Sequence, residues 1–201
     1  MTEFDRWQTR YSTEEFVFGE RPNAFLESQA ALLPASGRAL AVADGEGRNG
    51  VWLAERGLDV LSIDFSSNAQ AKARKLAATR GVKVEYLIGD VHLWDYPVES
   101  FDVVVEIFTQ FSTPNQRRLK WRGMKRALKP GGLLLIEGYT PKQLEFGTGG
   151  PKQRDHLYTR DMLEAEFREF AKVEIREYEA HMSEGDGHSG MSAMIDLVGW
   201  K

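Results

Sequence analysis

Three glycines and an aspartate stand at the spacing of a nucleotide-binding site. Gly45, Gly47 and Gly50 form the pattern G-x-G-x-x-G directly after an apolar run at 38–43. Glycines in such a turn let a ligand approach the backbone closely, and the helix that follows offers unpaired N–H groups. Asp64 lies about 20 residues beyond the start of the turn, where an acid can accept hydrogen bonds from ribose hydroxyls. This combination predicts a ligand of the adenosine type.

Short apolar runs alternate with helical patterns along most of the chain, which is typical of βαβ units. The runs that we predict as strands are RALAVA (38–43), DVLSID (59–64), VKVEYLI (82–88), SFDVVVEIF (100–108) and GLLLIEGY (132–139). Their continuous apolar character favours a parallel sheet that is covered on both faces. Ligands of such sheets bind beyond the carboxyl ends of the strands. We therefore expect Asp64 and Asp90, which both follow apolar runs, at the same edge of the sheet.

Helices are predicted between these runs. The first spans about 47–56, the second starts at Ser66 or Ser67 and closes at Gly81, and the third begins at Thr113 and stops before KPGG. The C-terminal third departs from this alternation. A helix at 159–170 precedes two extended stretches, which are joined by a segment whose Asp186-Gly187 is a hairpin signal. The sheet is therefore predicted to end in an antiparallel pair.

Composition narrows the class of protein. The chain has 201 residues, which fit one domain, and a formal net charge of −4, which argues against a dedicated nucleic-acid-binding protein. The basic run at 116–126 is interleaved with Leu119, Trp121 and Met124, so we interpret it as a solvated helix face. No stretch has the pattern of a signal peptide or the length of a membrane span, and the sequence contains no cysteine. These features predict a cytoplasmic protein with no membrane or nucleic-acid partner.

The motifs together resemble a class I S-adenosylmethionine-dependent methyltransferase, in particular the small-molecule group around tellurite-resistance and thiopurine methyltransferases. The segments that carry the resemblance are GEGRNGVWLAERG, VLSIDFSS, YLIGD and ALKPGGLLLIEGY. The resemblance covers nearly the whole chain. It implies a three-layer α/β Rossmann-like methyltransferase fold, with a mostly parallel seven-stranded sheet that ends in an antiparallel hairpin, in a single domain over 1–201.

The resemblance also implies S-adenosyl-L-methionine as the cofactor and a small-molecule methyl acceptor as the partner. It places a lid in the N-terminal helical segment, 1–34, with Trp7 among its candidates, and Phe108 beside the methionine part of the cofactor. We expect acceptor selection to come from the long Gly- and Pro-rich loop at 140–158 together with the N-terminal segment. The cofactor-binding residues that follow from the resemblance are Arg10, Tyr11, Asp44, Gly45, Gly47, Asp64, Phe65, Asp90, Val91 and Ile107.

The chain departs from the family at the glycine turn. The family usually has Asp-Leu-Gly-Cys-Gly-x-Gly where this chain has Ala41-Val42-Ala43-Asp44-Gly45-Glu46-Gly47. If position 43 requires a left-handed backbone, alanine costs about 1–2 kcal/mol there. The missing acid at 41 removes an anchor near the cofactor's methionine end, and Asp44 is the residue that can replace it.

Three functions remain open from the sequence. Methyl transfer to a small molecule is the first, and a degenerate protein that binds S-adenosylmethionine or S-adenosylhomocysteine without catalysis is the second. An NAD(P)-binding oxidoreductase is the third, because G-x-G-x-x-G and Asp64 also suit a dinucleotide.

The sequence identifies no catalytic base. The candidates are Glu106, Glu137, Tyr139, His92 and His156, and packing or capping accounts for single residues of this kind at least as well. His181 and His188 flank the hairpin signal without acids beside them, so no metal site is predicted.

Overall fold

A computed structural model describes residues 2–185 and 188–201, with nothing described of the His188 side chain. The predicted turn at Asp186-Gly187 therefore lies outside the described residues. Seven strands form one sheet in the order β3-β2-β1-β4-β5-β7-β6. The first five strands run parallel, and β7 pairs antiparallel with both β5 and β6. This confirms the predicted α/β fold.

The strands lie close to their predicted positions, with bounds as follows: β1 Arg38–Val42, β2 Asp59–Asp64, β3 Glu85–Ile88, β4 Phe101–Ile107, β5 Leu128–Tyr139, β6 Lys172–Glu184 and β7 His188–Trp200. The helices are α1 Glu3–Arg10, α2 Ala24–Ser28, α3 Arg48–Glu55, α4 Ser67–Arg80, α5 Pro114–Ala127, α6 Gln143–Phe146 and α7 Arg160–Glu166. Short 3-10 turns span Ala30–Leu32 and Arg154–His156.

The helix ends follow the capping chemistry of the sequence. The side chain of Ser66 accepts from the Ala69 N–H at the start of α4, and Gly81 ends that helix in the left-handed conformation. Thr113 caps α5 in a capping box with Gln116, and Pro114 occupies the first helical position. These local signals explain why the crossover helices could be predicted.

Two apolar layers cover the sheet. One face packs against α5 and α7 through a large cluster that includes Trp121, Met124 and Phe167. The opposite face packs against α2 and α3 through Leu26 and Leu53. The parallel strands are consequently buried on both sides, as their continuous apolar character predicts.

The prediction that the basic run at 116–126 forms a solvated helix face is wrong in part. Lys120 and Arg117 are buried, whereas Arg118 and Arg122 are exposed. Lys120 reaches into the core because Glu106 of β4 carries a buried carboxylate beneath this helix, and their charged atoms lie 2.7 Å apart. Helical spacing alone does not reveal such a partner, since it comes from a strand distant in sequence.

Candidate functional site

A cleft lies where the strand order reverses, beyond the carboxyl ends of β1, β2 and β4. This is the position at which open α/β sheets bind ligands. We call it the main pocket, and its cavity measures about 70 Å³. Six of the ten predicted site residues line it: Tyr11, Asp44, Gly45, Asp64, Phe65 and Ile107. The other lining residues are Trp7, Phe18, Ala43, Glu46, Arg48, Asn49, Phe108 and Phe111.

The turn after β1 has a left-handed backbone at three alternate positions. The φ angles are 50° at Ala43, 57° at Gly45 and 84° at Gly47. Ala43 thus adopts the conformation that the family supplies with glycine, which costs about 1–2 kcal/mol for an alanine. The chain keeps the backbone shape of the turn despite the substitution.

Asp64 joins the turn to the end of β2. Its two carboxylate oxygens accept hydrogen bonds from the Gly45 N–H at 2.9 Å and from the Ser66 N–H at 2.8 Å. Burial, only partly offset by these bonds, raises the pKa of Asp64 to about 6. A carboxylate has about four acceptor positions, so both oxygens can still receive hydroxyl groups from a ligand.

The Asp44 carboxylate is held inside the turn after β1. Its oxygens accept from the Gly50 N–H at 3.1 Å and from the Ser62 hydroxyl at 2.9 Å. A Cβ added at Gly50 would collide with this carboxylate and would meet the methyl group of Ala41 at 3.6 Å. Asp44 therefore fills the space beside Ala41, and burial raises its pKa to about 7.

Four predicted site residues do not line the main pocket. Gly47 instead permits helix packing, because a Cβ there would lie 2.5 Å from the Cβ of Ala73 in α4. Val91 is completely buried in the core, where its carbonyl accepts from the Tyr96 hydroxyl at 2.9 Å. Arg10 lies over the rings of Trp7 and Phe18, with its guanidinium carbon 5.1 and 4.9 Å from their centres. The fourth residue is Asp90.

The Asp90 carboxylate is held by the residue two positions later. Its Oδ1 accepts from the His92 N–H at 2.8 Å and lies 2.7 Å from Nδ1 of the same residue. The other ring nitrogen of His92 lies 2.8 Å from the Ser112 hydroxyl. Burial lowers the pKa of His92, more than the Asp90 charge raises it. The His92 ring lies next to the Phe111 ring of the main pocket.

Aromatic side chains cover the main pocket. Trp7 stacks on Tyr11 with ring centres 5.5 Å apart, and Phe65 meets Phe111 edge to face at 6.0 Å. The Tyr11 hydroxyl lies over the turn, 2.9 Å from the place of a Cβ at Gly45. Trp7 Nε1 is buried and has no hydrogen-bond partner among the described residues. A buried donor of this kind is rare in proteins and marks a place where a ligand can supply the acceptor.

A second pocket adjoins the first beyond the ends of β4 and β5. It measures about 80 Å³ and shares Trp7, Phe18, Phe108 and Phe111 with the main pocket. Its other walls come from Arg6 and Arg10 of α1, Gln110, Tyr139, and the loop residues Gly150 and Pro151. The two segments that we predicted to select an acceptor thus meet at this pocket.

The candidate bases occupy different environments. Glu106 and Glu137 are buried within hydrogen-bond networks, and neither lines the second pocket. His156 lies against the carbonyl of Gln110, with Nδ1 3.1 Å from that oxygen. Only Tyr139 lines the second pocket, and burial raises its pKa above the usual range. A tyrosine with a raised pKa is a poor base at neutral pH.

Three polar residues of the turn were not predicted to have a role, although they bind the N-terminal segment. Glu46 accepts from the Val17 and Phe18 N–H groups, and Arg48 Nη1 donates to the Phe18 carbonyl at 3.3 Å. Asn49 accepts from the Asn23 N–H at 3.0 Å. The interleaving of these residues with the glycines is the only sequence signal for this role.

No three metal-ligating side chains converge anywhere in the described ranges. In the same ranges, every helix is too short or too polar to cross a bilayer.

Residues 39–132 match a family described as a methyltransferase domain. A demethylmenaquinone methyltransferase from Thermus thermophilus is 32% identical over 113 residues, which cover 55% of this chain and 51% of that protein. The chain thus spans about half the length of this relative.

Solved structures are similar in fold. TehB from Haemophilus influenzae superposes with a TM-score of 0.70 at 18% identity, over 98% of this chain and 66% of that one. Phosphoethanolamine N-methyltransferase 2 from Haemonchus contortus, solved with phosphomonomethylethanolamine and S-adenosylhomocysteine, gives 0.74 at 18% identity, over 100% of this chain and 60% of that one.

Proposed function

We propose that the chain is an S-adenosylmethionine-dependent methyltransferase, which transfers the methyl group of this cofactor to a small-molecule acceptor. The match of residues 39–132 to a methyltransferase domain supports this proposal. The observation that carries the proposal is the main pocket at the strand-order reversal, where Asp64 and the Gly45 turn meet an aromatic cover. The named substrates of the similar proteins, demethylmenaquinone and phosphoethanolamine, are small molecules. They support the acceptor class without specifying the acceptor.

The residues of the main pocket fit the parts of S-adenosylmethionine. Asp64 has acceptor positions for the ribose hydroxyls, and the Phe65 and Phe111 rings offer faces on which adenine can stack. The unpaired Nε1 of Trp7 suits the carboxylate of the methionine part, and Tyr11 and Arg10 stand beside it. Gly45, Asp44 and Ile107 would line the same ligand, with Asp90 and Val91 proposed for the adenine edge.

The bound cofactor would supply a methyl group on a positively charged sulfur. The chain then has to align an acceptor and exclude water, because such a displacement needs little covalent help. Trp7, Phe18 and Phe111 lie between the two pockets and can do both. No carboxylate or imidazole among the described residues lines the second pocket. We place the acceptor in the second pocket. Because no base lines that pocket, we expect an acceptor atom that already has a free lone pair and need not lose a proton first.

Two features of the turn support a working pocket despite Ala41 and Ala43. Ala43 adopts the left-handed conformation, and the Asp44 carboxylate is held close to the turn by the Gly50 N–H. These two features favour a working cofactor pocket over the degenerate alternative. The NAD(P) alternative has no support beyond the glycine pattern and Asp64.

Calorimetric titration with S-adenosylmethionine, S-adenosylhomocysteine and NAD(P)H tests the cofactor. We expect both sulfur compounds to bind and NAD(P)H not to bind. Asp64→Asn should weaken S-adenosylhomocysteine about 10- to 100-fold, because hydrogen bonds to a charged acceptor contribute about 1.5–3 kcal/mol. Asp59→Asn, at the exposed start of the same strand, serves as the matched control and should bind normally.

A screen of acceptors with methyl-labelled S-adenosylmethionine then separates catalysis from binding. Transfer to a small molecule supports the proposal. Binding of NAD(P)H alone would overturn it, and tight binding of the sulfur compounds without transfer to any acceptor class would favour the non-catalytic alternative.

A further inference from the structure

The segment 13–24, which we call the strap, connects α1 to α2 and carries Phe18 to the boundary between the two pockets. Nothing in a nucleotide-binding turn requires polar side chains between its glycines. In this chain, however, Glu46, Arg48 and Asn49 all reach the strap as well as lining the main pocket. The same turn therefore shapes the cofactor pocket and fixes the segment that covers it.

Glu46 and Lys72 form the tightest part of this attachment. Their charged atoms lie 2.7 Å apart, and the Glu46 side chain is only 2% exposed. Glu46 accepts from the Val17 N–H at 3.2 Å and from the Phe18 N–H at 3.3 Å. Lys72, from α4, also donates to the Glu15 carbonyl at 2.6 Å. The ion pair thus holds the strap backbone at Glu15, Val17 and Phe18.

Both backbone polar groups of Phe18, the N–H and the carbonyl, form hydrogen bonds with side chains next to Gly47. The N–H donates to Glu46 and the carbonyl accepts from Arg48. Arg48 is itself anchored by Glu184 of β6, with its Nη2 2.7 Å from that carboxylate. The position of the Phe18 ring is consequently set by the conformation of the glycine turn.

We propose that Glu46, paired with Lys72, is a positioning residue for methyl transfer, which closes the strap over the cofactor pocket and sets Phe18 as the wall between cofactor and acceptor. The inference rests on the proposed function for the identity of the ligand. Trp7, Tyr11 and Phe18 line the cofactor pocket, so the strap has an open state that admits a nucleotide and a closed state that covers it. Glu46 sets the balance between these two states.

The test compares Glu46→Gln with Glu55→Gln. Both glutamates pair with a cation of α4, but Glu55, at the end of α3, meets Arg80 at 3.8 Å in a partly exposed pair. Amide hydrogen exchange at Val17 and Phe18 reports the strap directly. We expect about tenfold faster exchange in Glu46→Gln, because the Val17 and Phe18 N–H groups lose their charged acceptor and open more often. Glu55→Gln should leave this exchange unchanged.

The second readout is the kinetics of S-adenosylhomocysteine binding, followed by stopped-flow tryptophan fluorescence. An open strap lets the ligand enter and leave more easily, so both rate constants should rise in Glu46→Gln, with dissociation about tenfold faster. A purely structural defect would lower affinity without speeding association. Lys72→Met should reproduce both effects, and Lys72→Arg should restore most of the wild-type behaviour.

Wild-type rate constants and wild-type exchange in both Glu46→Gln and Lys72→Met would overturn the proposal. Faster strap exchange with unchanged ligand kinetics would overturn it as well, because the strap would then move without gating the pocket. If S-adenosylhomocysteine failed to bind even the wild type, the proposed function would fall. Exchange at Val17 and Phe18 would still decide whether Glu46 fixes the strap.

Discussion

Glu106 of β4 and Glu137 of β5 lie one register position apart, since Ile107 pairs with Glu137 across the two strands. Both side chains are almost completely buried, on opposite faces of the sheet. An isolated charge in such a place is costly, so each carboxyl group must be paired or must hold its proton. The two sites use these two different solutions.

The Glu106 carboxylate is charged and fully compensated. Lys120 Nζ lies 2.7 Å away, Trp121 Nε1 donates at 2.6 Å and the Tyr158 hydroxyl donates at 2.8 Å. The Thr109 hydroxyl donates to it as well. Although burial acts in the opposite direction, Lys120 and these donors together hold the pKa of Glu106 below its usual range.

The Glu137 carboxyl group instead has acidic neighbours. Asn23 Nδ2 donates to it at 2.5 Å and the Tyr178 hydroxyl at 2.9 Å, while Asp196 lies directly opposite on β7. Burial, and then the charges of Asp196 and Glu184, hold the pKa of Glu137 well above its usual range. Burial likewise raises the pKa of Asp196 to about 7. The pair is therefore expected to share a proton below neutral pH.

The difference shows where stability depends on pH in this fold. The Glu106 site brings its own cation from α5, which keeps the carboxylate ionised. No ion pair with Glu137 itself is found in the described part of the chain, although Arg176 lies opposite Asp196 and lowers the pKa of that group; a shared proton supplies the compensation. Asn23 donates to Glu137 and also caps α2. Ionisation of the Glu137–Asp196 pair is therefore expected to affect the N-terminal segment that covers the site.

The largest expected effect is at Lys120. Lys120→Met leaves Glu106 buried without its cation, and removing one partner of a buried ion pair costs about 3–5 kcal/mol. Urea denaturation measures this loss in the free energy of unfolding. Lys125→Met is the control on the same helix, because Lys125 pairs with Glu166 and Glu169 near the surface and should lose less than about 1 kcal/mol.

A double variant separates charge from packing. Glu106→Leu combined with Lys120→Met removes both charges and should recover most of the stability lost in Lys120→Met alone. If the double variant were as unstable as the single one, compensation of charge would not be the role of Lys120.

The burial of Lys120 also marks the limit of prediction from sequence. The positions of the strands, the crossover helices and their caps follow from local patterns such as Thr113-Pro114 and Gly81. The environment of a charged residue depends on what the fold brings opposite to it, and Glu106 is 14 positions away from Lys120 in the sequence. Sequence reasoning accordingly assigned α5 a solvated face and treated Glu106 and Glu137 as equivalent candidates.

The site follows the same division. Asp64 and Gly45 were predicted from motif spacing and Phe65 from the family resemblance, and the structure brings the three together at the main pocket. Asp44 was proposed to replace the carboxylate missing at 41, and that role stays a prediction. Contacts between the turn and the strap join residues about 30 positions apart, such as Arg48 and Phe18, and no local pattern encodes them.

The second prediction concerns pH. A carboxyl group with a raised pKa in the folded state binds more protons there than in the unfolded chain, so stability falls as pH rises from the ordinary acid range through about 7. Each such group contributes up to about 1.4 kcal/mol per pH unit. Asp44 and Asp64 add to the same slope, because their pKa values are raised to about 7 and about 6.

Glu137→Gln isolates the contribution of the carboxyl pair. The glutamine oxygen can keep the bond from Asn23, while its NH2 group faces the Tyr178 oxygen and the Tyr178 hydroxyl donates to Asp196. The variant should therefore match the wild type near pH 5 and exceed it by about 1–3 kcal/mol near pH 8.5. Thermal or urea unfolding across this range measures the difference. Glu179→Gln, on the exposed side of β6, is the control and should leave the slope unchanged. Equal slopes in wild type and Glu137→Gln would exclude the shared proton.

The smallest expected effect comes from two tyrosines that donate to the two carboxyl groups. A hydrogen bond to a charged group contributes about 1.5–3 kcal/mol and one to a neutral group about 0.5–1.5 kcal/mol. At pH 6, Tyr158→Phe should therefore cost about 1 kcal/mol more than Tyr178→Phe.

At pH 8.5 the Glu137–Asp196 pair gains negative charge. The Tyr178 hydroxyl, which also lies 3.3 Å from Asp196, then becomes more stabilising. The gap between the two variants should then narrow, because Tyr178→Phe loses more while Tyr158→Phe is unchanged. Urea denaturation of both variants at the two pH values measures the gap. A gap that stayed constant would mean that the charge at Glu137 does not change between pH 6 and pH 8.5.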